Sequence, residues 1–355
     1  MVQKATAVAT RAAVAEQEVD GQRALALEGE AVRLVVLPEV GAKIVSCVDR
    51  RTGHEYVWRN PDPAVRLVRP DYAGAFERYD ISGWDECFPC IGQCAYPEPP
   101  WQGVVVPDHG ELWTLPWHAE PQPDGLRLWT HGVRFPYTFE KRLALAGDGF
   151  STFYRVHNAA PFPFKCFWST HPLFAATPET RILLPEGVRV RVEVSFTGRL
   201  GPLLTEHPWP RAADRRGREV DLSVMGPEAQ GEADKLFTTP LPQGWAALHD
   251  GASDQWLAFT FDPAQVPLAG LWGNRGGWPA GRPCFNLALE PCSGCPDRLD
   301  IAVLRGEHQT VAPEGDLVWR LDVHVGRGHD SLAAITSSPR RHGDTETEEM
   351  ESVEG

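Results

Sequence analysis

Three short segments of this 355-residue sequence place ionisable and aromatic side chains beside rigid turn residues. They are residues 107–113 (PDHGELW), 168–174 (WSTHPLF) and 287–297 (LALEPCSGCPD). Each contains an imidazole or a carboxylate that can exchange protons, next to a proline, which restricts the backbone, or to a glycine in a turn. The three groups are His109, His171 and Glu290.

Glu290 ends an apolar strand pattern at Pro291. Because side chains alternate along a strand, Glu290 is predicted on the face opposite Leu287 and Leu289, with its carboxylate free to point into a cavity. The alternative is a surface carboxylate at a strand end.

The two histidines leave similar alternatives open. His171 follows an aromatic run and precedes Pro172, a setting that also suits a hydrogen-bonded core histidine. His109 lies in a turn between an acid and a glycine, where its residue type favours neither a binding nor a structural role.

The elements that must position these groups are predicted to be strands. Glycine (33 residues) and proline (32 residues) interrupt short apolar segments throughout, and residues 188–194 alternate clearly. A strand is also predicted at residues 299–304, and no segment keeps a helical period for three turns. The fold class is therefore all-β, with one large antiparallel β-sandwich whose loops supply the site.

The predicted domain organisation has three parts. Residues 1–20 are interpreted as a flexible leader, residues 21–327 as a single β-sandwich domain that carries the site, and residues 328–355 as a disordered acidic tail.

The net charge of −14 restricts the partners. An acidic surface repels phosphate backbones, which argues against nucleic acid. No apolar run approaches the ~18 residues of a membrane helix, and Lys4 and Arg11 interrupt any signal-peptide core. A cytoplasmic monomer or homodimer with a small-molecule partner is predicted.

The eight cysteines comprise two isolated residues and two groups: Cys47 and Cys166; Cys87, Cys90 and Cys94; Cys284, Cys292 and Cys295. Two Cys-x-x-Cys pairs could form a four-thiolate zinc site or disulfides. Free cysteines can equally be small core residues. The wide separation of the pairs favours the core interpretation, so no metal is predicted.

Together the segments resemble the aldose 1-epimerase (galactose mutarotase-like) family, from about residue 34 to residue 325. Residues 37–44 (LPEVGAKI) are similar to its opening Pro-x-x-Gly hairpin, and the resemblance continues through residues 83–89 (GWDECFP) and the His109-Gly110-Glu111 turn. Residues 171–174 (HPLF) and 289–297 (LEPCSGCPD) look like its His-Pro-x-Phe and Glu-Pro motifs.

The resemblance implies a mutarotase that interconverts the α and β anomers of a free aldose in an open groove, without metal or organic cofactor. The family residue matching Glu290 is the general base, the one matching His171 is the general acid, and the one matching His109 helps to hold the sugar. Opening a hemiacetal removes the proton of the anomeric hydroxyl and protonates the ring oxygen, which a carboxylate and an imidazolium can do.

Sugar binding also needs groups for hydroxyls and an aromatic surface for the C–H face of the ring. Candidates for the hydroxyls are Arg78, Asp85, Glu86 and Asp234, and candidates for the aromatic surface are Trp84, Trp113 and Trp272. With thirteen tryptophans in the chain, most of them are expected to pack in the core or in loops.

Three other functions fit the same pattern. They are a non-catalytic carbohydrate-binding protein, a hexose-6-phosphate mutarotase with Arg78 or its neighbours facing C6, and an accessory role in glycosidase or lyase chemistry. Well-studied mutarotases carry a His-Gly-Gly turn or a similar one where this chain has His109-Gly110-Glu111, so the pattern does not identify the sugar.

Overall fold

The structure is a computed structural model that describes residues 13–337. Its strands, in chain order, are β1 (Ala13–Val19), β2 (Gln22–Glu28), β3 (Val32–Leu37), β4 (Lys43–Asp49), β5 (His54–Glu55), β6 (Trp84–Cys87), β7 (Cys94–Ala95), β8 (Val105–Val106), β9 (His118–Gln122), β10 (Gly125–His131), β11 (Tyr137–Ala146), β12 (Gly149–Asn158), β13 (Phe164–Cys166), β14 (Ser169–Phe174), β15 (Thr180–Leu183), β16 (Arg189–Ser195), β17 (Glu206–Pro208), β18 (Arg211–Ala213), β19 (Glu219–Asp221), β20 (Glu232–Thr238), β21 (Trp245–Asp250), β22 (Gln255–Phe261), β23 (Leu268–Arg275), β24 (Phe285–Cys292), β25 (Gln309–Val311) and β26 (Asp316–Arg327). The α-helices are α1 (Leu299–Arg305) and α2 (His329–Ser337), and single 3-10 turns lie at Phe76–Arg78, Leu112–Thr114 and Glu228–Gln230.

Two antiparallel sheets form the body of the protein. The larger has 12 strands in the order β1-β2-β3-β4-β6-β14-β24-β23-β20-β16-β17, with β5 also paired to β4. The smaller has eight strands in the order β15-β21-β22-β26-β12-β11-β10-β9. Consecutive strands of the larger sheet's centre come from distant parts of the chain, so its middle is assembled by long-range pairing.

The sheets pack face to face through apolar side chains. The ring of Trp84 on β6 lies 5.9 Å from that of Phe150 and 5.6 Å from that of Phe259, both on the smaller sheet. Leu287 and Leu289 on β24 belong to the same buried cluster. The predicted all-β antiparallel sandwich is confirmed.

The larger sheet is also covered on its outer face, which is the face turned away from the smaller sheet. Alternation along β24 turns Ala288 and Glu290 to this side, opposite Leu287 and Leu289. A second apolar cluster lies there: Trp58, Phe76, Ile81, Trp113, Leu173, Cys284 and Ala288. The irregular segments around residues 58–81 and 107–113 supply most of this cover.

Glu86 joins the two sheets in the core. Its carboxylate accepts hydrogen bonds from Lys141 Nζ (3.1 Å) and Tyr154 OH (3.1 Å) of the smaller sheet and from Trp168 Nε1 (2.8 Å). Burial raises the pKa of Glu86, and Lys141 offsets part of that rise. Glu86 was predicted to bind sugar, whereas its face of β6 points into the sandwich and three donors hold its carboxylate there.

Both predicted terminal boundaries need correction. Residues 13–19 were assigned to the leader, but they form β1 and pair with β2 along its length. Residues 329–337, assigned to the disordered tail, form α2, whose Leu332 packs in a buried cluster with Trp256. The rest of the predicted leader (1–12) and tail (338–355) lies outside the described residues.

The strand predicted at residues 299–304 is the helix α1. Leu299 and Ala302 are its buried residues, spaced three apart as a helix face requires, and Gly306 ends the helix with a φ of 71°. Over six residues, period-2 and period-3.6 patterns are hard to separate. No helix within residues 13–337 is both long and apolar enough to cross a membrane.

Candidate functional site

Four residues align across the outer face of the larger sheet, here called the charged row: Asp85, His171, Glu290 and Gly270. Asp85 on β6 pairs with His171 on β14, and the β14–β24 register sets His171 opposite Glu290. Glu290 in turn pairs with Gly270 on β23. The structure therefore brings together the two residues that the sequence pattern marked as candidate acid and base.

Glu290 and His171 face each other without a direct hydrogen bond. His171 Nε2 lies 3.8 Å from Glu290 Oε1. Glu290 Oε1 and His171 Nδ1 are buried and have no hydrogen-bond partner within residues 13–337. Because buried polar atoms are normally paired, each of these two atoms could accept a hydrogen bond from an additional group or donate one to it.

Lys235 on β20 holds the other oxygen of the glutamate. Its Nζ lies 2.7 Å from Glu290 Oε2 and 3.5 Å from Asp297 Oδ1. Burial raises the pKa of Glu290, and Lys235 partly offsets the rise. Burial alone would lower the pKa of Lys235, but Asp297 and Glu290 raise it above its usual value, so the lysine stays charged.

His171 is held as the neutral imidazole. Burial, the positive charges of His109 and Lys235, and that of Lys43 lower its pKa well below 6.5. The side chain is 6 % exposed and Glu290 is 0 % exposed. The expected imidazolium is therefore not the resting form.

A strained turn supplies His109. The residue has a φ of 57°, an uncommon conformation for a residue with a side chain, of the kind that clusters at functional sites. Its ring stacks on Phe76 (centroids 4.2 Å apart) and lies 4.9 Å from the ring of His171. Asp108 contacts His109 Nδ1 at 2.9 Å and accepts the Phe76 N–H at 2.8 Å. The turn therefore positions both the imidazole and the phenyl ring that cover the row.

Replacing Gly110 by Ala is expected to damage this turn. Gly110 has a φ of +72°, and an added Cβ would lie 2.1 Å from the Phe88 carbonyl oxygen. Gly53 has a similar φ (+76°) with nothing within 4 Å, so Gly53→Ala is a matched control for backbone strain alone. Gly110→Ala should lower the free energy of unfolding by about 1–3 kcal/mol more than Gly53→Ala, measured by urea denaturation. Equal losses would show that the turn yields without cost.

Asp85, at one end of the charged row, forms an ion pair with a lysine. Lys43 Nζ lies 3.2 Å from Asp85 Oδ2 and 3.3 Å from Asp80 Oδ1. Burial raises the pKa of Asp85 to about 6, although Lys43 counteracts it. This carboxylate adjoins His171, as its prediction as a binding residue requires, and its charge compensates that of Lys43.

Two further predicted binding residues lie on the core side. Trp84 is buried between the sheets and donates its Nε1–H to Thr170. Asp234 lies on the face of β20 opposite Lys235 and pairs with Arg199 and, at 3.7 Å, with Arg275. Both were predicted to bind sugar, and side-chain alternation turns them to the face opposite the row.

The remaining predicted residues lie on the outer side of the sheet. Trp113 is buried against Phe76 (5.3 Å between centroids) and supports the cover. Trp272 is half-buried, donates to Asn286 Oδ1 at 3.2 Å and lies beside Trp278. Arg78 is exposed, two residues beyond Phe76. Of the three, Trp272 presents an indole beside the row.

The resemblance implies an open groove, whereas in the structure of residues 13–337 Glu290 and His171 are both buried. Glu290 is fully covered, and a cavity of about 360 Å³ lies to one side, lined among others by Asn60, Asp80 and Ser82. Phe76 is one of the side chains on this face, and its ring lies 5.4 Å from that of His171.

Two of the eight cysteines lie near the charged row. Ser169 on β14 pairs with Cys87 on β6 and with Cys292 on β24, two residues along each strand from the charged row. All eight cysteines are unpaired and buried. Among residues 13–337, no three His, Cys, Asp or Glu side chains are arranged to hold a metal ion.

Comparisons with known proteins identify the fold. No protein-family model and no curated protein matches the chain. A galactose mutarotase-like protein from Clostridium acetobutylicum matches with a TM-score of 0.64 and 10 % identity, over 90 % of this chain and 99 % of that one. One from Lactobacillus casei matches with 0.58 and 17 %, over 85 % and 100 %. A galactose mutarotase related enzyme from Lactobacillus acidophilus matches with 0.59 and 14 %, over 90 % and 100 %.

These matches agree with the architecture described above. The protein is an antiparallel β-sandwich of two large sheets. More specifically, it has the galactose mutarotase-like fold, as its sequence motifs predicted.

Proposed function

We propose that this protein is a mutarotase that interconverts the α and β anomers of a free aldose. The observation that carries the proposal is the pairing of Glu290 with His171 on adjacent strands, 3.8 Å apart, each with a buried polar atom that no described residue satisfies. The galactose mutarotase-like fold supports a sugar as the substrate.

The chemistry needs one base and one acid. Glu290 takes the proton from the anomeric hydroxyl, and the O–H electron pair forms the C1 carbonyl. The bond between C1 and the ring oxygen breaks, its electrons stay on the ring oxygen, and His171 supplies a proton there. Rotation about C1–C2 and reversal of these steps close the ring on the other face and return both protons.

The protonation states decide how readily the pair works. The pKa of Glu290 is raised and that of His171 is lowered, both chiefly by burial. The reactive form, with an ionised glutamate and a protonated histidine, is therefore a minor one that the pair reaches jointly. Sugar hydroxyls that bind His171 Nδ1 and Glu290 Oε1 would satisfy both orphaned atoms.

A non-catalytic carbohydrate-binding protein on the same fold is the second candidate. The complete burial of Glu290 and the neutral state of His171 favour it. Nothing comparable favours a hexose-6-phosphate substrate, since Lys43 and Lys235 each already face two carboxylates.

The test is exchange between α and β anomeric protons measured by NMR. D-glucose, D-galactose and D-xylose, with glucose 6-phosphate and galactose 6-phosphate, form the panel. We expect the protein to accelerate exchange of at least one free sugar above the buffer rate. Binding without acceleration would select the non-catalytic candidate, and neither binding nor acceleration would contradict both.

A further inference from the structure

Lys235 is a buried cation that the proposed proton transfers do not use. Its ammonium lies between two carboxylates, 2.7 Å from Glu290 Oε2 and 3.5 Å from Asp297 Oδ1. The first distance is that of a short charge-assisted hydrogen bond, and the second is beyond ordinary hydrogen-bond length. Lys235 is thus hydrogen-bonded to Glu290 and lies near Asp297 without a hydrogen bond to it.

The second acid has a free position for the lysine. Asp297 Oδ1 is buried and has no hydrogen-bond partner within residues 13–337. Asp297 follows β24 by five residues, and its backbone carbonyl accepts the N–H groups of Ile91 (3.1 Å) and Gly92 (2.7 Å). The backbone of Asp297 is therefore held in place, and closing the 3.5 Å separation to hydrogen-bond length would bring the Lys235 ammonium onto the unpaired oxygen.

We propose that Lys235 is a positioning residue for Glu290: it keeps the carboxylate ionised with Oε1 turned toward His171, and it moves to Asp297 when Glu290 accepts a proton. The ammonium then remains paired in both states, which matters because an isolated buried charge is costly. The effect on kcat/KM that this inference predicts rests on the proposed mutarotase function. The effect on the pKa of Glu290 does not depend on that function.

The other groups around Glu290 must be considered, because each can shift its titration. They come from neighbouring strands and turns: His171 on β14, His109 in its turn, Cys87 on β6, Cys292 on β24 and, beyond Lys235 and Asp297, Glu193 on β16. Burial raises the pKa of Glu193 to about 8, and Asp297 adds to the rise. After burial, Lys235 has the largest influence on Glu290 and lowers its pKa, whereas Asp297 raises it.

Two variants should therefore move the titration of Glu290 in opposite directions. Lys235→Met removes a positive charge and should raise its pKa by about 1–3 units. Asp297→Asn removes a negative charge and should lower it by a smaller amount. The measurement is ¹³C NMR titration of labelled glutamate carboxyls, with the Glu290 signal assigned by its loss in Glu290→Gln. Lys165→Met, which breaks the pair with Glu98, is the matched control and should leave Glu290 unchanged.

Anomeric exchange of D-galactose provides the kinetic test. The limb of the kcat/KM pH profile that the ionisation of Glu290 controls should move to higher pH in Lys235→Met and to lower pH in Asp297→Asn, and Lys235→Arg should return it toward native. The proposal is overturned if the rates fall while the limb stays at the same pH, or if Lys235→Met and Asp297→Asn move the limb in the same direction. If no sugar exchanges, the mutarotase function fails, and the titration still decides the role of Lys235. If Lys235→Met does not fold, Lys235→Arg and Asp297→Asn give the same decision from the NMR titration.

Discussion

Replacement of Glu290 by Gln is expected to slow anomeric exchange by about 10²- to 10⁴-fold. The amide occupies the same volume and its oxygen can still accept the hydrogen bond from Lys235, but it cannot take the proton of the anomeric hydroxyl. The native Glu290 is fully buried, and its Oε1 has no hydrogen-bond partner within residues 13–337 and lies 3.8 Å from His171 Nε2. NMR exchange of the sugar that the native protein converts fastest is the measurement.

A thermal unfolding midpoint close to that of the native protein shows whether the Glu290→Gln fold is intact. The affinity for the sugar should change little compared with the rate, since the loss concerns proton transfer. Native exchange rates in a folded Glu290→Gln variant would remove Glu290 from the mechanism. Loss of binding together with rate would instead indicate that the residue only holds the sugar.

Replacement of Lys141 by Met is expected to lower the free energy of unfolding by about 3–5 kcal/mol. Lys141 and Glu86 are both fully buried, and the lysine donates to Glu86 Oε1 (3.1 Å) and to the Ala42 carbonyl (3.0 Å). Without it, Glu86 keeps a buried charge or must take up a proton. Protonation relieves the penalty below the folded-state pKa, which burial already raises, so the loss should grow as pH rises from 5 to 8.

Urea denaturation of three variants separates the causes. In the double variant Glu86→Gln, Lys141→Met, both charges are gone, so it should be more stable than Lys141→Met alone. Arg155→Met breaks a pair of similar length (2.9 Å to Asp316) whose partners are both about two-fifths exposed, and it should cost no more than about 1 kcal/mol. Equal losses of unfolding free energy in Lys141→Met and Arg155→Met would mean that a buried carboxylate left without its partner costs no more than an exposed one.

The strands of this protein could be predicted because the alternation of polar and apolar residues, and the glycines and prolines that interrupt it, are local properties of the sequence. Residues 188–194 alternate, and the strand β16 spans Arg189–Ser195. Glu290 and His171 stood out for the same reason, since each combines a strand pattern with an adjacent proline. Residues 299–304 show the limit: in six residues a strand and a helix of one and a half turns share too many apolar positions to be distinguished.

The sheet face on which each candidate binding residue lies could not be predicted in the same way, because central strands are buried on both faces. Asp234 and Lys235 are neighbours in sequence and both charged, yet only Lys235 reaches Glu290. On β6, Asp85 faces His171 while Glu86 reaches into the core. Composition identifies such segments as polar, but alternation alone does not say which face is the core, so Lys235 was missed.

The sequence by itself determined the fold class and the two residues most able to transfer a proton, since both follow from local patterns. The tertiary structure alone decided their environment. Pairing of β6, β14, β24 and β20 sets Glu290 between His171 and Lys235. The outer cover buries the pair, which makes His171 neutral and raises the pKa of Glu290. Lys235 and Glu290 are 55 positions apart and His171 and Glu290 more than a hundred, so no local pattern contains their proximity or burial.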